Sequence, residues 1–172
     1  MIHLLNGGHE VQVLAGTFFS FNHSPDLDYA LGTLREGWML TTPKGSSCFR
    51  GNCELLVEAF GGGIFEGPGD GLAEATLLLR YNFVQSQASV VPYFQIGAGA
   101  LYSEAPEDEN QRLIGSAFSF NLQASLGLHF FVGERCAITL EAGYRHISNA
   151  GFDERNVGVD SIGGQLGVSF FY

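Results

Sequence analysis

The stretch FSFNLQASLGLHF, Phe118 to Phe130, alternates from end to end. Phe118, Phe120, Leu122, Ala124, Leu126, Leu128 and Phe130 fall on one side, and Ser119, Asn121, Gln123, Ser125, Gly127 and His129 on the other. Successive side chains of a β-strand point to opposite faces, so this is a long strand with one greasy face and one polar face. No helical period competes with that reading.

The pattern repeats on both sides of it. Pro92, Phe94, Ile96, Ala98, Ala100 and Tyr102 oppose Tyr93, Gln95, Gly97, Gly99 and Leu101. Ala73, Ala75, Leu77, Leu79, Tyr81 and Phe83 oppose Glu74, Thr76, Arg80 and Asn82, with Leu78 as an exception. Cutting at the turn-rich stretches predicts eight strands, at 9–21, 28–41, 53–63, 71–84, 89–103, 116–132, 135–148 and 159–172. NHSPDLD, FEGPGDG, SEAPEDENQRLIG and NAGFDERNVG are polar, acidic and mostly long; QSQAS and GERC are tight, and TTPKGSSCFRGN is the exception on that side. Long loops at one end and mostly short turns at the other, joining strands long enough to cross a hydrocarbon layer, predict an all-β, eight-stranded antiparallel transmembrane barrel of the outer-membrane type.

A soluble barrel of the lipocalin kind is the main rival, with its apolar face inside. Its exterior would need charge for solvation, yet the polar faces here are mostly Gly, Ser, Gln and Asn, which suit a narrow lumen. Glu58, Glu74, Arg80, Glu141 and Arg145 share the lumen parity and can pair there. Strand two leaves its orientation open, because Glu36 and Trp38 share a face.

With 172 residues the chain makes a single domain, 1–172, with room for a short unstructured or periplasmic N-terminus at 1–8. Charged residues are only 15%, and the net charge of -10 speaks against a nucleic-acid partner. No apolar run reaches the length of a membrane-spanning helix. The N-terminus MIHLLNGGHE has no signal-peptide pattern, so either the chain is not exported or its signal peptide has been removed. Cys48 and Cys53 flank Phe-Arg-Gly-Asn and read equally as a small disulfide or as two free thiols; Cys136 has no obvious partner. No His cluster stands at zinc spacing, and EAPEDEN lacks the spacing of a calcium loop, so no metal is expected.

The anomaly in this pattern lies in GYRHISNAGF, Gly143 to Phe152. His146 and Ser148 take the parity of Ile138, Leu140, Ala142 and Tyr144, which is the apolar, lipid-facing one. On the next strand Asp160 shares parity with Ile162, Leu166, Val168, Phe170 and Tyr172. If His146 and Asp160 are cross-strand neighbours, their Cβ atoms lie about 5 Å apart. Ser148 is two residues from His146, ~7 Å along the strand, within reach of an imidazole. The three make a Ser-His-Asp constellation. The plainer reading is a polar fringe where the strands leave the membrane. For Asn149, Gly151 and Asn156 the plainer reading is loop chemistry, since Asn and Gly tolerate left-handed turns.

RHISNAG, followed by Asn156-Val157-Gly158-Val159-Asp160, resembles the lipid A 3-O-deacylase family (PagL type) of Gram-negative outer membranes. Weaker resemblance covers most of the chain, including LREGWMLT and CELLVEAFGGGIF. The resemblance implies an eight-stranded barrel in the Gram-negative outer membrane, and hence a removed signal peptide. It implies an esterase that releases the 3-hydroxyacyl chain from lipid A, with Ser148 as nucleophile, His146 as general base and Asp160 as the acid. The family's best-known member has Glu in that last place. Asn156 and Gly151, with Asn149 beside them, match the region of the oxyanion hole. Acyl chains would lie along Tyr144, Ala142 and Ile162. Lipopolysaccharide and the bilayer are the implied partners, no cofactor is needed, and a homodimer stays open. The alternative is a non-catalytic structural or adhesion barrel.

Overall fold

The computed structural model describes residues 4–21, 26–107, 110, 112–155 and 157–172. Eight strands follow one another: β1 (His9–Phe21), β2 (Asp28–Met39), β3 (Asn52–Glu66), β4 (Gly71–Asn82), β5 (Val90–Ser103), β6 (Phe118–Phe131), β7 (Cys136–Ser148) and β8 (Val159–Phe171). Each pairs antiparallel with its sequence neighbours, and β1 pairs with β8, so the sheet closes into a barrel without edges. Closure is what lets strands sit in lipid, because every backbone N–H and C=O of the wall finds a partner within it. The strand ends agree with the alternation to within three residues, the widest gap being the end of β3.

The faces sort as the period-two pattern predicts. Val13, Leu34, Leu77, Leu122, Leu126, Leu166 and Val168 lie exposed on the outer wall. Gln12, Arg35, Glu58, Arg80, Asn121, Glu141 and Gln165 are buried in the lumen. A soluble barrel would reverse this, so the lipocalin-like reading falls.

Register settles strand two. Glu36 and Trp38 both face outward at the end of the short turns. There Glu36 accepts a hydrogen bond from the Tyr172 hydroxyl at 2.8 Å, and His9 stacks on Tyr172 with its ring edge toward Trp38. Aromatic girdles of this kind mark where barrel strands leave the hydrocarbon. Leu78, the exception in β4, is buried in the lumen; a Cβ on Gly97 of the neighbouring strand would stand 2.4 Å from its Cδ2. The leucine thus fills the volume that the glycine leaves.

Three guanidinium groups organise the lumen. Arg35 meets Glu58 at 2.5 Å through Nε and grips Glu141 bidentately at 2.7 and 2.9 Å. Arg80 bonds Glu10 at 2.7 Å and reaches Glu54 at 3.4 Å, while its guanidinium lies 4.2 Å from the centre of the Tyr93 ring. Arg145 contacts Glu58 at 3.3 Å and lies between the rings of Phe18 and Phe60. Glu58, Glu74, Arg80, Glu141 and Arg145 are therefore inside as predicted, and Arg35, Glu10 and Glu54 join them.

Apolar clusters close both ends of this polar middle. Phe18, Tyr29, Leu31, Phe60, Leu101 and Ile147 pack below the loops, with Leu113 and Ile114 from above. Leu4, Met39, Val84, Val91, Ala137 and Phe171 pack at the turn end. Cys48, Cys53 and Cys136 are free thiols.

Candidate active site on the outer face of the last hairpin

The β7–β8 register places His146 directly opposite Asp160 and Tyr144 opposite Ile162. Arg145 and Ile147, the intervening residues of β7, are 1% exposed and point inward, so His146 and Ser148 point outward. On the β6 side they stand beside Leu122 and Phe120, both exposed on the outer wall. The three polar residues singled out in the sequence therefore occupy the lipid-facing surface, at the end of the strands that carries the loops.

His146 Nδ1 and Asp160 Oδ1 are 2.7 Å apart. With Nδ1 donating to the Asp160 carboxylate, Nε2 is the ring nitrogen turned to other partners. Gly158 relates this pair to the serine. It has φ +82, and a Cβ built on it would stand 3.3 Å from His146 Cε1 and 3.8 Å from Ser148 Cβ. The imidazole edge and the serine side chain thus border one small space, which the missing Cβ keeps open. Gly158→Ala is expected to lower turnover at least tenfold with the barrel intact, because left-handed backbone costs about 1–2 kcal/mol off glycine and the methyl crowds the ring. Wild-type turnover in the purified Ala variant would show that the space is not used.

The sequence places Tyr144 along the acyl chains but does not show its bond to Asp160. Its hydroxyl donates to Asp160 Oδ1 at 2.5 Å, the same oxygen that His146 uses. The position of Tyr144 two residues before His146 was the available signal, since i and i+2 share a strand face. The carboxylate is held from two sides, a geometry that fixes the imidazole behind it. Tyr144→Phe removes one charge-assisted hydrogen bond and is expected to lower turnover roughly three- to tenfold. The check is steady-state hydrolysis beside Tyr144→Ala, which also removes the ring.

The loop residues sort differently. Asn149 is buried; its carboxamide accepts from the Gly151 amide at 2.9 Å and donates to the Arg155 carbonyl at 3.1 Å. Both groups are thus engaged in shaping the turn, with Ala150 at φ 53 and Gly151 at φ 84. Asn156 lies outside the described residues.

Away from the polar trio runs an apolar groove of about 620 Å³, walled by Phe19, Phe94, Leu126, Tyr144 and Ile162. Its floor is Ala124, Ala142, Gly143 and Gly163, whose small side chains hollow the barrel surface. Tyr144 belongs to both regions, so the groove opens beside the His146–Asp160 pair. Among the described residues no group of His, Cys, Asp and Glu side chains is placed to hold a metal.

Residues 34–169 match the family described as Lipid A 3-O-deacylase (PagL). No curated protein matches the chain in sequence. Among solved structures, the outer membrane enzyme PagL superposes with a TM-score of 0.61 at 20% identity, covering 94% of this chain and 98% of that one. Neisserial surface protein A does so with a TM-score of 0.65 at 17% identity, covering 96% and 99%. The N-terminal β-barrel domain of Pseudomonas aeruginosa OprF gives 0.61 at 15% identity, covering 97% and 98%. At such identities the superpositions establish the outer-membrane barrel fold, and the family match carries the rest.

Proposed function

Because the chain belongs to the lipid A 3-O-deacylase (PagL) family of outer-membrane enzymes, we propose that it hydrolyses the ester at position 3 of lipid A with Ser148 as nucleophile, His146 as general base and Asp160 as the orienting acid. Lipid A presents its acyl chains within the outer leaflet, and a site on the outside of the barrel meets them without extracting the lipid. The observation that carries the reading is the 2.7 Å contact between His146 and Asp160 across a direct register pair on that outer face.

Asp160 holds the Nδ1 proton, so Nε2 accepts the proton of the Ser148 hydroxyl as its oxygen attacks the ester carbonyl. The charge on Asp160 also favours the imidazolium that forms. Collapse of the tetrahedral intermediate breaks the carbonyl carbon–oxygen bond, and His146 returns its proton to the departing sugar oxygen. Water, deprotonated by the same imidazole, then releases the 3-hydroxy acid from Ser148.

Donors to the oxyanion usually supply a large share of catalysis. With the Gly151 amide and the Asn149 carboxamide engaged inside their turn, we assign that part to Asn156, on its place in the motif alone. The acyl chain lies in the groove along Tyr144, Ala142 and Ile162, whose wall is almost wholly apolar. There it exchanges lipid contacts for protein contacts, so the groove positions the ester more than it adds affinity.

Purified protein in detergent, incubated with lipid A and followed by mass spectrometry, tests the reading. Loss of a single hydroxyacyl chain from position 3, with the amide-linked chains retained, is the expected product. Loss from another position, or no loss, would contradict it.

A further inference from the structure

The chain has only eight Lys and Arg residues, and their places are informative. Arg35, Arg80 and Arg145 are buried in the lumen. Lys44, Arg50 and Arg135 lie in the 40–51 and 132–135 connections at the turn end. Arg112 and Arg155 are all that remain for the loop end, whose other charged residues are acidic. Both line the same polar pocket, about 430 Å³ in volume, together with Glu154 and Val157.

Two separate connections build this pocket. Arg112 belongs to the 104–117 loop and Arg155 to the 149–158 loop. A short ladder joins the two: Gly115 N–H donates to the Arg155 carbonyl at 2.7 Å, Val157 N–H to the Arg112 carbonyl at 3.2 Å, and Gly158 N–H to the Leu113 carbonyl at 2.9 Å. Gly115 permits the approach, since a Cβ there would fall 2.0 Å from Asp153 Oδ1. The last rung is Gly158, the glycine that borders His146 and Ser148. The ladder therefore ties the residues that line the pocket to the glycine beside the candidate active site.

We propose that the Arg112–Arg155 pocket binds a phosphate group of the glycolipid whose ester lies at Ser148. The inference rests on the function proposed above and extends it from the reacting ester to the headgroup. Lipid A is a phosphorylated glucosamine disaccharide, so a hydrolase that grips an acyl chain in the wall must hold the sugar above it. Guanidinium groups suit phosphate by their planar fork of donors. Asp153 Oδ1 lies 3.9 Å from Arg155 Nε, and one terminal nitrogen of Arg155 reaches the Gly115 carbonyl at 3.5 Å. Glu154 on the rim accepts from sugar hydroxyls or amides. Arg112 and Arg155 are the two cations of these otherwise acidic loops, so a phosphate on this rim has its guanidinium partners at this pocket.

The test is binding to the Ser148→Ala protein, which holds the lipid without consuming it, in detergent micelles. Bisphosphorylated lipid A is compared with the same lipid after phosphatase treatment. We expect the phosphorylated lipid to bind about tenfold more tightly or better, and the preference to vanish in Arg112→Gln/Arg155→Gln. Arg112→Gln alone, whose carbonyl keeps its rung of the ladder, should lose part of the preference, and Arg112→Lys should restore some of it. Equal binding of the two lipids by the parent, or an undiminished preference in the double variant, overturns the proposal. So does binding of inorganic phosphate as tight as that of the lipid, because the pocket would then serve a free anion. Hydrolysis by the wild type is followed in parallel. Discrimination in binding without hydrolysis of either lipid would remove the esterase reading and leave the phosphate pocket standing.

Discussion

Ser148→Ala is expected to lower release of the 3-hydroxy acid by a factor on the order of 10³ or more while leaving the barrel folded. Ser148 is the last residue of β7, faces outward and pairs with Phe120, so truncating it disturbs no lumen contact. Folding is read independently from the heat-dependent gel mobility of the barrel, and turnover from mass spectrometry of lipid A. His146→Asn should fall as far, because the proposed mechanism gives the serine its base there. Asp160→Asn keeps the shape but favours the wrong tautomer, and should cost about 10⁴-fold if the imidazole depends on it as in other triads. Asp160→Glu places the residue of the best-known family member and should retain much of the activity. Full activity in Ser148→Ala would end the nucleophile assignment. Loss in Ser148→Ala together with loss of the gel shift would point to folding instead.

Removing Arg35 should be the most damaging single change to stability. Its side chain is fully buried and neutralises both Glu58 and Glu141. Arg35→Leu leaves Glu141 with neutral donors alone among its close partners, the Tyr93 hydroxyl at 2.7 Å, Gln95 at 3.1 Å and Gln165 at 3.4 Å, and Glu58 with Gln123 at 2.8 Å and Arg145 at 3.3 Å, all buried in the lumen. Breaking one partner of such a buried network typically costs about 3–5 kcal/mol, because the remaining charges stay desolvated. The neighbouring residue gives the control. Leu34 is 56% exposed on the outer wall, and Leu34→Ala exchanges one lipid contact for another. Urea unfolding in detergent or liposomes should therefore show a large midpoint shift for Arg35→Leu and a small one for Leu34→Ala. Equal shifts would mean that the lumen network contributes nothing beyond ordinary packing.

The two predictions separate the inside of the barrel from its outside. Lumen charges pair with one another inside the wall. The outer face, apolar over most of its area, carries a polar break where β7 and β8 reach the loops.

The amino-acid sequence by itself determined the parity of most of the wall. From Phe118 to Phe130 each residue's face follows from its neighbours, because strand geometry repeats every two residues and needs no knowledge of the partner strand. The same local rule put His146 and Ser148 on the outer face and Glu58, Arg80, Glu141 and Arg145 on the inner one. Strand two escaped it, since Glu36 at a membrane boundary looks the same as a lumen acid until β1 and β8 are placed beside it. Contacts between distant segments escaped it too. Arg35 meets Glu141 across 106 residues, and its third partner, Gln12, stands opposite it in register on β1. Tyr144 finds Asp160 only once the β7–β8 register is set, and Arg112 finds Arg155 only once two loops fold over one another. Parity is a property of a single strand, whereas register, closure and loop packing depend on the whole sheet at once. That is why the faces could be read from the chain and the partners could not.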